Sequence, residues 1–128
     1  MNGRVLLDTN IVIAYLNNDA SVRRHLKGVV SFISVITASE LLYGALNSAD
    51  AANNVRRERD FLSVQAVLSC NLVTAERCSL LRLENKQRGI GLDESDLWIA
   101  AHAIQYGLTL VTRDNDFDSV PGLSVETW

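Results

Sequence analysis

The order of apolar and polar segments predicts an α/β fold, with a central, mainly parallel β-sheet flanked by helices on both faces. Three observations carry this. Short, mostly apolar runs at residues 4–7, 31–35 and 108–111 have the length and branched composition of buried strands. Longer stretches with helical spacing separate them, so strands alternate with helices, as parallel crossovers require. Acidic residues follow the apolar runs or open the helices after them, and ligands gather at that end of such a sheet.

Residues 4–7 form an apolar run that ends at Asp8 and reads as the first strand. Residues 10–16 stay apolar, but a polar cluster at residues 17–19 makes them a short helix after a tight turn. Residues 31–35 carry no charge and read as the second strand. Thr37-Ala38-Ser39-Glu40 then fits a capping box, with the threonine as cap and the glutamate reaching back three residues on. The segment 51–68 sets Val55, Leu62 and Val67 among charges, as an amphipathic helix does. Residues 71–73 suggest a short strand, and 75–87 a helix stopped near Gly89 and Gly91. Residues 93–106 form a more apolar helix ended by Gly107. Residues 108–111 are a strand, and 123–125 an edge strand after Pro121.

The 128 residues suit one domain, 1–128, with no linker, repeat or low-complexity stretch to divide it. Nearly half the residues are apolar, enough for a real core. No apolar run is long enough for a membrane span, and the N-terminus lacks the pattern of a signal peptide, so the expected location is cytoplasmic. Cys70 and Cys78 lack metal-ligand spacing and are expected to be two buried thiols. The net charge of −3 argues against a simple nucleic-acid binder, yet acids gathered at one site would hide basic surface elsewhere. Three basic groups are candidates to track phosphates or to be plain solvated faces: Arg23, Arg24 and Lys27; Arg56, Arg57 and Arg59; Arg82, Lys86 and Arg88.

Asp8, Glu40, Asp96, Asp114 and Asp116 stand where a site on such a sheet would be. Singly, each has a structural explanation as a turn, a helix cap or a favourable charge at a helix start. Jointly they are costly, because clustered carboxylates repel one another and their pKa values rise. A hard divalent cation reverses that cost. An oxygen donor set without Cys or His suits magnesium or manganese, and such ions act on phosphodiesters. No phosphate-binding glycine loop and no nucleophile elbow is present. His25 and His102 are isolated, and His102 on its apolar helix is expected to be a satisfied core or groove histidine.

Four segments resemble the PIN-domain family, and especially its VapC-type ribonuclease toxins. They are LLDTNIVIAYL, ISVITASELLYGA, GLDESDLWIAAHA and LTLVTRDNDFDSVPGLSVETW, in the family's order. The middle of the chain, from about residue 50 to 87, is weakly matched. The resemblance implies a PIN-like single domain and a metal-dependent endoribonuclease. Such a toxin cleaves RNA, inhibits translation and growth, and is neutralised by a VapB-type antitoxin. It also implies a homodimer and Mg2+ as cofactor, with Mn2+ as the alternative. By motif, Asp8, Glu40 and Asp96 match the metal-site acids, and Asp8 and Asp96 are expected to hold the ion. Asp114 matches the fourth catalytic position, with Asp116 as the other candidate because the last motif is a residue shorter than in many relatives. Thr9, Asn10 and Thr112 adjoin these acids as groups that orient carboxylates or water.

Rival functions remain on the sequence alone. A PIN-like module that binds RNA without cutting it would share the motifs. A receiver-type phospho-acceptor domain has a similar sheet, but Asp8 has no acidic neighbour and the only lysines are Lys27 and Lys86. A phosphatase of the haloacid-dehalogenase type would need a second aspartate that Asp8-Thr9-Asn10 lacks.

Overall fold

The structure, a computed structural model, describes residues 3–128. β1 (Arg4–Leu7) leads into α1 (Thr9–Leu16) and α2 (Ala20–Leu26), then β2 (Val30–Ser34). α3 (Val35–Leu46), α4 (Ala51–Ser63) and β3 (Ala66–Leu68) follow. α5 (Leu72–Arg88), α6 (Glu94–Tyr106), β4 (Thr109–Val111), a 3-10 helix (Asn115–Ser119) and β5 (Val125–Glu126) complete the chain. The strands form one sheet in the order β3-β2-β1-β4-β5. Every pairing is parallel, so the sheet is wholly rather than mainly parallel.

The two-residue period of a strand decides which core each side chain joins. In the central strand β1, Leu6 packs on one face with Ile99, Leu110, Phe117 and Cys78. Val5 and Leu7 pack on the other with Ile11, Val22, Ile33, Leu41 and Trp128. α6 lies in the first core and buries Leu97, Ile99 and the alanines 100, 101 and 103. Alanine there lets the helix approach closely while retaining high helix propensity. Among the described residues no helix is long and apolar enough to cross a membrane.

Several local expectations are corrected. Ser34, not Thr37, caps α3, accepting from Ile36 N at 3.0 Å. Thr37 lies inside the helix, and Glu40 is past its first turn, so the Thr37–Glu40 capping box does not form. The third strand is at Ala66–Leu68, where the sequence suggested the end of a helix. Residues 71–73 are not a strand: Asn71 caps α5, and its side chain and that of Thr74 satisfy each other's backbone N–H. α2 is a separate helix that the sequence reading did not assign. Cys78 is buried as expected, but Cys70 is exposed. His102 is buried, with Nδ1 accepting from the Ser34 hydroxyl at 2.9 Å and Nε2 donating to Ser69 O at 3.2 Å. Burial lowers its pKa, so it is a neutral strut between α6 and the ends of β2 and β3.

Candidate active site

The candidate site lies at the C-terminal ends of the central strands, where the N-termini of α1, α3 and α6 also begin. Asp8 follows β1 directly. Its backbone N–H continues the ladder to Val111 O at 2.9 Å, which fixes the residue against β4. Its carboxylate is buried and held at both oxygens: Thr9 N donates to Oδ1 at 2.8 Å, and the Thr112 hydroxyl donates to Oδ2 at 2.7 Å. The same Thr112 oxygen accepts from Asp114 N at 3.0 Å, so one buried hydroxyl sets both the first acid and the loop carrying the last. Burial pushes the Asp8 pKa up, the two hydrogen bonds oppose it, and Asp114 and Asp93 raise it further.

Asp96 stands in the first turn of α6. Its backbone N–H bonds Asp93 Oδ1 at 2.9 Å, making Asp93 the helix cap. Burial, followed by repulsion from Asp93, Asp8 and Asp114, pushes the Asp96 pKa up to about 7. No cation is among the groups acting on it. Asp96 therefore gives up its proton far less readily than an ordinary carboxyl group. Asp8, Asp96 and Asp114 thus share one electrostatic neighbourhood. The helix N-termini at Asp8 and Asp93 offset only part of the repulsion.

Glu40 is joined to this group differently. It is exposed on α3, and the Thr9 hydroxyl donates to its Oε1 at 2.6 Å. Thr9 in turn accepts from the buried Thr37 hydroxyl at 3.1 Å. A chain of two threonines thus ties Glu40 to the residue next to Asp8. Asn10 is exposed in the first turn of α1. Asp116 is exposed on the 3-10 helix, donates its backbone N–H to Asp114 Oδ1 at 2.9 Å, and is not among the acids that raise Asp8 or Asp96.

In the sequence Asp93 reads as a possible cap of α6, which it is, and Thr37 as the cap of α3, which it is not. The three-residue step from Asp93 to Asp96 at a helix start was the available signal for the first. Nothing in the sequence marked Thr37 as more than a cap. The basic groups resolve unevenly. Arg82 is paired with Glu94 and Arg88 with Glu84, and Arg23 lies over the Tyr15 ring.

A divalent cation fits the chemistry of this donor set, because burial and neighbouring acids raise Asp8 and Asp96, and among the described residues no positive group acts on either. Among the described residues no group of three His, Cys, Asp or Glu side chains comes together closely enough to hold a metal ion by itself. Magnesium does not require one, since it keeps several waters and is commonly held by one or two carboxylates.

The PIN domain model matches residues 5–123. The chain is 34% identical over 134 residues to ribonuclease VapC2 of Haemophilus influenzae, covering 98% of each. It is 35% identical over 129 residues to the tRNA(fMet)-specific endonuclease VapC of Shigella flexneri, again covering 98% of each. Its fold matches VapBC2 of Rickettsia felis, solved bound to a promoter DNA fragment, with a TM-score of 0.90, 31% identity and 98% coverage of both chains. The five parallel strands and six α-helices among the described residues agree with a likeness that covers 98% of these relatives: the chain belongs to the PIN-domain family, in its VapC group.

Proposed function

We propose that this protein is a metal-dependent endoribonuclease, the toxin of a VapBC-type toxin–antitoxin pair, acting in the cytoplasm. The observation that carries the catalytic part is the uncompensated acid group at the ends of β1 and β4 and the start of α6, with Asp96 pushed up to about 7. The relatives named as VapC nucleases support RNA as the substrate, and the VapBC complexes support a VapB-type antitoxin as the inhibitor.

Asp8 and Asp96 would hold Mg2+ or Mn2+, with Asp114 assisting. Such an ion offsets phosphodiester charge and makes water more acidic. The chain's own residues fix the geometry. Thr112 orients Asp8 and the Asp114 loop together, and Asp93 fixes the start of α6. Glu40, whose Oε1 is held by Thr9, would take a proton from an attacking water. Thr9 is thus a positioning residue for Glu40.

A homodimer is part of the proposal. Tyr43 and Leu46 on α3, and Leu72, Leu80 and Leu83 on α5, are large apolar side chains left exposed. Covering such surface in a second copy favours association.

Induced expression without antitoxin should arrest bacterial growth and produce discrete RNA cuts, and Glu40→Gln should relieve the arrest at equal soluble yield. A wild-type protein that cuts no RNA with either metal sinks the proposal.

A further inference from the structure

Arg113 stands between two residues of the candidate site, Thr112 and Asp114, yet its side chain is bonded elsewhere. Its Nε donates to the main-chain oxygen of Trp128 at 2.9 Å, and one terminal nitrogen meets Asp19 Oδ2 at 3.1 Å. Asp19 caps α2 through its other oxygen, which accepts from Val22 N at 3.1 Å. Trp128 is buried in the core that also holds Val22, and its ring stacks on that of His25 in α2, with centroids 5.2 Å apart. The backbone repeats the connection, because Thr112 N donates to Glu126 O at 3.0 Å. A single planar fork thus pins the turn after β4 both to α2 and to the segment after β5.

Stability and charge are weak reasons for this arrangement. The Arg113 and Asp19 side chains are 39% and 29% exposed, and ion pairs that open to water add little to stability. A positive charge next to a metal site repels the ion. Arg113 is not among the groups acting on Asp8 or Asp96, so it does not relieve the crowding of the acids either. What the fork does control is a turn. The Thr112 hydroxyl donates to Asp8 Oδ2 at 2.7 Å and accepts from Asp114 N at 3.0 Å. A shift of residue 112 or 113 therefore moves the first acid and the last relative to each other.

Resting on the metal-dependent nuclease proposed above, we propose that Arg113 is a positioning residue for the acid group. Clamped between Trp128 and Asp19, it fixes the turn from Thr112 to Asp114, so that Asp8 and Asp114 are presented together to a divalent cation. It acts through those residues and not on the ion. A guanidinium suits this task, because its N–H groups diverge in fixed directions and reach two acceptors at once. The ammonium of lysine is a point charge on a flexible stem and lacks that geometry. The clamp also predicts a sign opposite to that of charge alone. Removing a positive charge near the acids by itself favours a cation there. Releasing the turn disfavours it, because the ligands lose their fixed arrangement.

The test is Mn2+ affinity by calorimetry, together with amide hydrogen exchange of the metal-free protein, both well below the melting temperature. Arg113→Gln should bind Mn2+ about tenfold more weakly than wild type, the loss typical of groups that orient metal ligands. Arg113→Lys keeps the charge and should not restore the affinity. In both variants the Asp114 amide should exchange faster, while the amides of Leu6 and Leu110 in the middle of the sheet keep their protection. Tighter or unchanged Mn2+ binding by Arg113→Gln overturns the inference, and so does full affinity in Arg113→Lys. Should Arg113→Gln fail to fold, Arg113→Lys decides by the same two measurements. RNA cleavage by wild type is measured separately: Mn2+ binding without cleavage counts against the ribonuclease proposal, and the variants still judge the clamp. If wild type binds no Mn2+, the metal-dependent reading falls, and exchange at Asp114 alone decides whether Arg113 holds the turn.

Discussion

The two sides of the candidate active site are built on opposite electrostatic terms. On one side Asp8, Asp93, Asp96 and Asp114 crowd together, and burial and mutual repulsion raise Asp8 and Asp96. On the other, Glu40 is exposed and held by the neutral hydroxyl of Thr9, which is itself backed by Thr37. The crowded side is unfavourable as it stands and favours a cation. The open side is already satisfied and keeps its geometry whether or not charge arrives. Neutralising an acid should therefore have opposite consequences for stability and activity on the first side, and little consequence for stability on the second.

The largest expected effect separates those consequences. Asp8→Asn and Asp96→Asn should each lower RNA cleavage by more than about a hundredfold, beyond what groups that merely orient ligands typically cost. Metal-free Asp96→Asn should nevertheless melt at or above the wild-type temperature near neutral pH, because it removes a repelled charge. A lower melting temperature for that variant would show that the crowding is not costly.

Next comes the choice between the late acids. Asp114→Asn should harm cleavage more than Asp116→Asn when both are assayed under saturating manganese. Asp114 acts on Asp8 and Asp96, whereas Asp116 does not. The reverse ranking would place Asp116 at the metal and leave the enzyme class intact.

The pH dependence is a third way to break the comparison. The folded pKa of Asp96, about 7, exceeds its ordinary value of 3.8, so its contribution to stability is fully present below 3.8 and lost as pH rises through 7. Metal-free protein should lose melting temperature across that window, and Asp96→Asn should flatten the decline. Added Mg2+ should restore more stability at pH 8 than at pH 5, by linkage to the ionised acids. Stabilisation by metal that is equal at both pH values contradicts the site.

Smaller effects sharpen the open side. Thr9→Val should lower cleavage by roughly tenfold by freeing Glu40. The smallest contrast is in stability alone. Glu40→Gln should leave the melting temperature unchanged, whereas Ser34→Ala, which removes both the cap of α3 and the donor to buried His102 Nδ1, should cost about 2–3 kcal/mol in denaturant unfolding.

That last pair also shows what the sequence could and could not reveal. Ser34-Val-Ile-Thr and Thr37-Ala-Ser-Glu both offer a hydroxyl before a helix, and only the end of β2, fixed by its register with β1, selects Ser34. The strands β1 and β4 and the helix α6 were legible because long-range burial left continuous apolar runs. β3 was not: three residues of strand after an amphipathic helix prolong its apolar pattern. Asn71 misled for a similar reason, since the apolar residues after it suit a strand as well as a first helical turn. The site acids were visible by motif, but their coupling was not. It depends on Thr112 meeting Asp8 across 104 positions and on α6 starting beside both.

The strand order has a kinetic consequence. β1 occupies the middle of the sheet, yet its neighbour β4 is made about a hundred residues later in the chain. At ordinary synthesis rates of about 5–20 residues per second, the first strand waits several seconds or more for that partner. Until Thr112 emerges and bonds Asp8, the candidate site is not assembled. The fold thereby has a built-in delay before that site forms, set by the distance along the chain between two adjacent strands.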